Sequence, residues 1–241
     1  MKEKISVSID AGILREVDSR IDGAYVKNRS QAVEMVLREL LPSSVNDAVI
    51  LAGGRMSRQI LENMNRQIAM LCGAGIKNII IMPGGNYAGV FSSIGDGSGL
   101  GADIRYINEK KKLGTAGALK LAEARLGCMF VLVYADIKAD VDVSKMIDYH
   151  RKSGSRVTAA VVPVDQRHST DMLVIEGKNV ERFSYNPAKK GMMNMAGIYV
   201  MSGSVLDMLP AEGSLEKDVL PLLAERGELV AYNFSGVWGQ V

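Results

Sequence analysis

Two glycines, Gly53 and Gly54, follow directly on the apolar run Ala48-Val49-Ile50-Leu51, so a buried strand delivers a glycine-rich loop at its carboxyl end. Backbone amides in such a loop can approach a phosphate with no Cβ in the way; the same pair of glycines also suits a plain tight turn. Polar Lys4, Ser6 and Ser8 alternate with apolar Ile5, Val7 and Ile9, the pattern of a half-buried strand with one polar face. Asn28 and Gln31 have the spacing of a helix-capping box. The two cysteines, Cys72 and Cys128, lie far apart among apolar neighbours, which suits buried thiols better than a disulfide or a metal site.

The elements that position these residues divide the chain in two. In the first segment, residues 1–44, the strand is followed by Asp10 as an N-cap and by Ile13, Leu14, Val17 and Ile21 at helical spacing up to Gly23. A second helix begins near Asn28 and carries Ala32, Val33, Val36, Leu37 and Leu40 before Pro42 stops it. Pro42-Ser43-Ser44 is a short connection. In the second segment, residues 45–241, buried strands at 48–51, 78–82, 130–134 and 156–163 alternate with helical patterns at 59–72 and 113–125, which predicts an α/β fold with a doubly wound sheet.

The 241 residues are 47% hydrophobic and 23% charged, enough apolar material for a real core and too much for a disordered chain. A net charge of +2 is too small to identify a nucleic-acid partner. No apolar run has the length of a membrane span and the N-terminus has no secretory core, so a cytoplasmic protein is expected.

The first segment resembles the ribbon-helix-helix family, whose chains pair their strands into a ribbon that enters the major groove of DNA. That resemblance implies a homodimer or higher homo-oligomer with double-stranded DNA as partner. Lys4, Ser6 and Ser8 would face base edges, and Asn28, Arg29 and Ser30 would clamp a phosphate at a helix N-terminus. Residues 1–42 hold seven basic and seven acidic side chains, so non-specific DNA affinity would be weak. The alternative is a ribbon that only dimerises the protein.

The second segment resembles the sugar-phosphate nucleotidyltransferases, which join a nucleoside triphosphate to a sugar 1-phosphate. Leu51-Ala52-Gly53-Gly54 is similar to the family's first strand and phosphate loop, and Leu113-Gly114-Thr115-Ala116-Gly117-Ala118 to its nucleotide-contacting helix start. Ala135-Asp136 is similar to its metal site; Ala196-Gly197-Ile198-Tyr199-Val200 and Glu216-Lys217-Asp218 are similar to its sugar-side elements. The resemblance implies ligand-binding roles for Gly53, Gly54, Arg58, Gly114, Thr115, Gly117 and Asp136, with Asp136 holding Mg²⁺ beside a bound nucleotide. Structurally, the same residues would form a turn, a helix start and a cap.

The chain departs from the family's pattern at five points. Met56 stands in the phosphate loop where the family has glycine, and no Pro-Lys follows. Asn186, in Phe183-Ser184-Tyr185-Asn186-Pro187, replaces a lysine that meets the sugar phosphate, and Gln240, in Trp238-Gly239-Gln240, replaces the second metal carboxylate. The family's Asn before Ala-Gly falls at Met195, beside Asn194. These losses of charge imply a site that binds without catalysing. Combined with the first segment, the expectation is a DNA-binding transcriptional regulator whose degenerate domain senses a nucleotide, sugar phosphate or nucleotide sugar, with no catalytic residues. The alternatives are a working nucleotidyltransferase, Arg55 or Arg58 taking over from a lysine, and a DNA-binding protein that uses the α/β domain only for assembly.

Overall fold

The structure is a computed structural model that describes residues 6–21, 26, 28–40, 45–163, 172–184 and 192–241. Two compact units divide it, Met1–Ser44 and Val45–Val241.

In the first unit, helix α1 (Ala11–Asp18) starts where the Asp10 carboxylate accepts from the amides of Gly12 and Ile13, at 2.7 and 3.3 Å. It ends at Asp18, earlier than the apolar spacing through Ile21 predicts, because the amides of Arg20 and Ile21 bond three residues back, to the carbonyls of Val17 and Asp18, instead of four. Helix α2 (Arg29–Leu40) follows Asn28, whose side chain accepts from the Gln31 amide at 3.0 Å. Arg29 makes a two-pronged ion pair with Asp18, both bonds 2.7 Å long. Val17 and Ala32 are buried, whereas Val7, Ile13 and Leu37 are exposed. Residues 6–10 pair with no strand of this chain, whereas the expected strand pairs with that of a second copy; Lys4 and the Pro42-Ser43-Ser44 connection lie outside the described residues.

In the second unit the elements are β1 (Asp47–Leu51), α3 (Arg58–Gly73), β2 (Asn78–Met82), α4 (Tyr87–Ile94), β3 (Asp103–Tyr106), α5 (Gly114–Leu121), β4 (Met129–Tyr134) and β5 (Ile137–Ala139). After these come α6 (Val143–Ser153), β6 (Val157–Pro163), β7 (Met172–Glu176), β8 (Asn179–Ser184), β9 (Met192–Ser202), α7 (Leu220–Glu225), β10 (Leu229–Asn233) and β11 (Trp238–Gln240). Among the described residues the unit holds a nine-stranded sheet of order β3-β2-β1-β4-β9-β6-β10-β8-β7, and β11 pairs separately with β5.

Strands β1 to β4 run parallel, as their unbroken apolar sequences predict. Beyond β4 the sheet is mixed, because β9 runs antiparallel to both β4 and β6. An apolar run of this kind shows that a strand is buried on both faces and leaves its direction open. Alternate residues of β1 serve two cores. Val49 packs with Phe130, Leu119 and Leu223 on one side; Ala48 and Ile50 pack with Met64, Ile68 and Met146 on the other. Helices therefore cover both faces and leave the strand ends as the open edge.

Cys72 is half-buried and Cys128, at the approach to β4, is exposed, which corrects the expectation of two buried thiols. Among the described residues no helix is long and apolar enough to cross a membrane.

His150 of α6 is buried, with Nδ1 2.9 Å from Thr158 Oγ1 and Nε2 3.2 Å from Ser202 Oγ. Burial, with Arg151 nearby, holds its pKa down at about 4. In the unfolded chain a histidine titrates near 6.5, so the unfolded state takes the proton first as pH falls. The contribution is complete above about pH 6.5 and should fall by roughly 3 kcal/mol between pH 7 and pH 4. Urea unfolding at both values, compared with His150→Gln, isolates this loss from that of titrating carboxylates. An equal pH dependence in the variant would contradict it.

Candidate active site

The carboxyl ends of β1, β2 and β4 lie side by side, with Leu51 in register with Met82 on one flank and Tyr134 on the other. The connections that leave the neighbouring strands β1 and β4 run in opposite directions, to β2 on one side and through β5 and α6 to β6 on the other, the position at which open α/β sheets bind ligands. The loop after β1 is anchored at its root: the Ala52 amide bonds Met82 O and the Ala135 amide bonds Leu51 O, both at 2.9 Å. Beyond that root Gly53, Gly54, Arg55 and Arg58 are exposed. Gly54 has a positive φ of 97°, which favours glycine.

The turn after β2 packs on this loop. A Cβ at Gly84 would stand 3.2 Å from Gly53 Cα, and Asn86 Nδ2 donates to Gly54 O at 2.8 Å. Sequence reasoning missed Asn86, although a Pro-Gly-Gly-Asn run after a buried strand was a usable turn signal. Ser57 caps α3 by accepting from the Ile60 amide. Arg58 does not turn toward the strand ends; it pairs with Glu62 one helical turn on, and its side chain is 92% exposed.

The start of α5 is built against the segment 211–213. Gly114 has φ 75°, and a Cβ there would lie 2.2 Å from Gly213 O. The Gly213 amide donates to Leu113 O and its carbonyl accepts from the Ala116 amide, so one of the helix's free amides is already satisfied by protein. A Cβ on Gly117 would lie 2.6 Å from Ala211 O. Both glycines are thus required by close backbone packing.

Thr115 is bound up in a buried cluster around Glu216. The Glu216 carboxylate accepts from Thr115 Oγ1 at 3.0 Å, from Ser214 Oγ at 2.8 Å and from the Tyr134 hydroxyl, while Thr115 Oγ1 accepts from the Leu215 amide at 2.8 Å. Burial, followed by the neighbouring Tyr199 and Glu216, pushes the Tyr134 phenol well above its ordinary pKa, so it remains a donor at any physiological pH. Glu216 therefore faces inward, and its neighbours Lys217 and Asp218 are exposed.

Asp136 follows Tyr134 and Ala135 and is exposed. Its backbone carbonyl accepts from the Val241 amide at 2.9 Å, and Gln240 is in register with Ile137 in the β5–β11 ladder. The position assigned to the second metal carboxylate thus stands next to Asp136 along the backbone. Gly197 on β9 lets Ile137 approach, since a Cβ there would be 2.6 Å from Ile137 Cγ1. Asn194 and Met195 are both buried in β9, and Met195 takes a hydrogen bond from Tyr199 Oη through its sulfur at 3.6 Å. Asn186 lies outside the described residues. Among the described residues no three His, Cys, Asp or Glu side chains come together as a metal cluster.

The structure thus gathers Gly53 and Gly54 with Asn86 on one flank, and connects Thr115 through Glu216 and Tyr134 to the segment bearing Asp136 on the other. In the first unit, Ser6, Ser8 and Ser30 are exposed, the Asn28 side chain is spent on its cap, and Arg29 is held by Asp18.

Residues 50–241 match the family model described as nucleotidyl transferase. A mannose-1-phosphate guanyltransferase of Debaryomyces hansenii is 32% identical over 150 residues, covering 58% of this chain and 41% of that protein. A mannose-1-phosphate guanylyltransferase of Mycobacterium tuberculosis is 26% identical over 211 residues, covering 78% of this chain and 58% of its own length. The chain therefore spans about half the length of these relatives. HddC from Yersinia pseudotuberculosis shares the fold with a TM-score of 0.68 at 22% identity over 81% of this chain and 93% of that one. The inositol-1-phosphate CTP transferase from T. maritima does so with a TM-score of 0.64 at 14% identity over 83% and 91%.

These relatives overturn the expectation of a DNA-binding transcriptional regulator with an inactive sensing domain and double-stranded DNA as partner. The two curated relatives are named mannose-1-phosphate guanyltransferase and guanylyltransferase, which agrees with the alternative of a working nucleotidyltransferase. The physical reason for the error lies in the first unit: capped amphipathic helices define a local geometry, and a balanced charge, with Arg29 paired to Asp18, gives only a weak attraction for a polyanion. By its match over 50–241, the chain belongs to the nucleotidyl transferase family.

Proposed function

We propose that this protein is a sugar-1-phosphate nucleotidyltransferase, with a hexose 1-phosphate and guanosine triphosphate as the first pair to try. The observation that carries the reading is the exposed glycine loop after β1 beside the exposed Asp136 after β4, at the open strand ends of a chain whose 50–241 match that family. In the reaction a phosphate oxygen of the sugar phosphate attacks the α-phosphorus of the triphosphate. The bond from that phosphorus to the β-bridging oxygen breaks, and pyrophosphate leaves with the electron pair.

In this scheme the amides of Gly53 and Gly54 hold the triphosphate. Arg55, exposed on the same loop, supplies positive charge where the family has its lysine. Arg58 can be recruited at little expense, because an exposed ion pair such as Arg58–Glu62 is worth little. Gly114, Thr115 and Gly117 act by shaping the α5 start against 211–213. The donor set fits Mg²⁺, which binds through one or two carboxylates and completes its shell with phosphate oxygens and water: Asp136 offers the carboxylate and Gln240 an amide oxygen. The ion would neutralise charge on the phosphates.

Pyrophosphate release that requires both substrates tests the reading. Asp136→Asn should lower kcat about 100- to 1,000-fold, the usual effect of removing one group that stabilises transition-state charge. Absence of pyrophosphate with every pairing of common triphosphates and hexose 1-phosphates, or an Asp136→Asn rate equal to wild type, would overturn it.

A further inference from the structure

At the junction of β4 and β5 the four residues Tyr134 to Ile137 have every backbone carbonyl engaged. Asn63 Nδ2 on α3 donates to Ala135 O at 2.9 Å and Ile137 O at 2.8 Å. Gln67 Nε2, one turn further along α3, donates to Tyr134 O at 2.8 Å and Ile137 O at 2.7 Å. The remaining carbonyl, that of Asp136, accepts from Val241. Asn63 and Gln67 are 3% and 5% exposed, yet the residues beside them on the buried face of α3, Met64, Ile68 and Leu71, are apolar.

Two buried amides are not what packing alone selects. Gln67 Oε1 is buried with no hydrogen-bond partner among the described residues, an unfavourable state that methionine or leucine of similar size would avoid. What the glutamine contributes is its NH₂ group, aimed at the carbonyls on either side of Asp136. The clamp leaves the Asp136 side chain as the exposed group of a segment whose backbone cannot turn.

We infer that Asn63 and Gln67 are positioning residues that aim the Asp136 carboxylate at the metal–nucleotide complex. This rests on the reaction proposed above. They act through the backbone, as the outer groups that orient metal ligands do, and removing such groups typically lowers metal affinity 10- to 100-fold.

Asn63→Asp and Gln67→Glu keep size and shape but replace each NH₂ donor by an oxygen that repels the carbonyls. Mn²⁺ binding to the full chain, followed by electron paramagnetic resonance in the presence of an α,β-methylene analogue of guanosine triphosphate, should weaken about 10- to 100-fold in each variant. Gln67→His, which keeps one N–H donor, should fall between, and it serves in place of Gln67→Glu if that variant does not fold. Folded variants that melt at lower temperature but bind Mn²⁺ within twofold of wild type would show a purely structural clamp and overturn the inference. Wild-type protein that binds no Mn²⁺–nucleotide would instead overturn the proposed reaction, and this inference with it.

Discussion

Gly114→Ala should destabilise the α/β unit by about 3 kcal/mol or more, and should take nucleotide binding with it. The left-handed φ of 75° by itself disfavours any L side chain by about 1 kcal/mol. The larger effect is steric, because the new Cβ would lie 2.2 Å from Gly213 O. That oxygen cannot retreat freely: it accepts from the Ala116 amide while the Gly213 amide donates to Leu113 O. Relief must come from moving the start of α5 or the segment 211–213, and either movement breaks hydrogen bonds. Gly54→Ala provides the comparison, since φ is 97° there but, its chain neighbours aside, nothing among the described residues lies within 4 Å of the added Cβ. It should lose only about 1 kcal/mol. Urea unfolding of the two variants measures the difference, and a Gly114→Ala loss no larger than that of Gly54→Ala would contradict this account of the α5 start.

A comparable loss, about 3 to 5 kcal/mol, should follow Glu216→Leu. One buried carboxylate accepts from three hydroxyls, those of Tyr134, Thr115 and Ser214, and leucine leaves all three facing an apolar side chain. A stranded buried polar group typically loses about 1 to 3 kcal/mol, and the effects overlap within one cluster. Glu216→Gln keeps one acceptor oxygen, and its NH₂ can donate to a hydroxyl that turns around, so its loss should be less than half as large. Thr115 also holds the Leu215 amide, so the leucine variant should loosen the α5 start and raise KM for the triphosphate more than for the sugar phosphate. Equal stability of the two variants would show that the carboxylate is not the hub of this cluster.

The elements that carry the site were legible for simple physical reasons. The runs 48–51, 78–82 and 130–134 are apolar because both faces of their strands are buried, and the glycines after the first run mark an exposed loop. The caps Asp10 and Asn28 declared themselves through residue type and spacing. What the sequence did not disclose are contacts between residues distant in the chain. Glu216 meets Tyr134 across 82 positions and Thr115 across 101, and Gly114 is required by Gly213, not by a ligand. Asn63 and Gln67 look like solvent-facing polar residues of an amphipathic helix, and only the fold shows them buried under the β4–β5 link. Strand β9 was not read as a strand, because burial on both faces erases the alternation of apolar and polar residues that marks a half-buried one. The first unit misled because its helices were readable while its partner was not.

If the strand-end site transfers a nucleotidyl group, as proposed, phosphorus-31 magnetic resonance follows the reacting atoms directly. With wild-type protein, Mg²⁺, guanosine triphosphate and mannose 1-phosphate, the α-phosphorus and sugar-phosphate signals should be replaced by the paired signals of a diphosphate ester while pyrophosphate appears in equal amount, and Asp136→Asn should make the same change about 100- to 1,000-fold more slowly. Unchanged signals with wild-type protein, for this pair and for the other common triphosphates and hexose 1-phosphates, would contradict it.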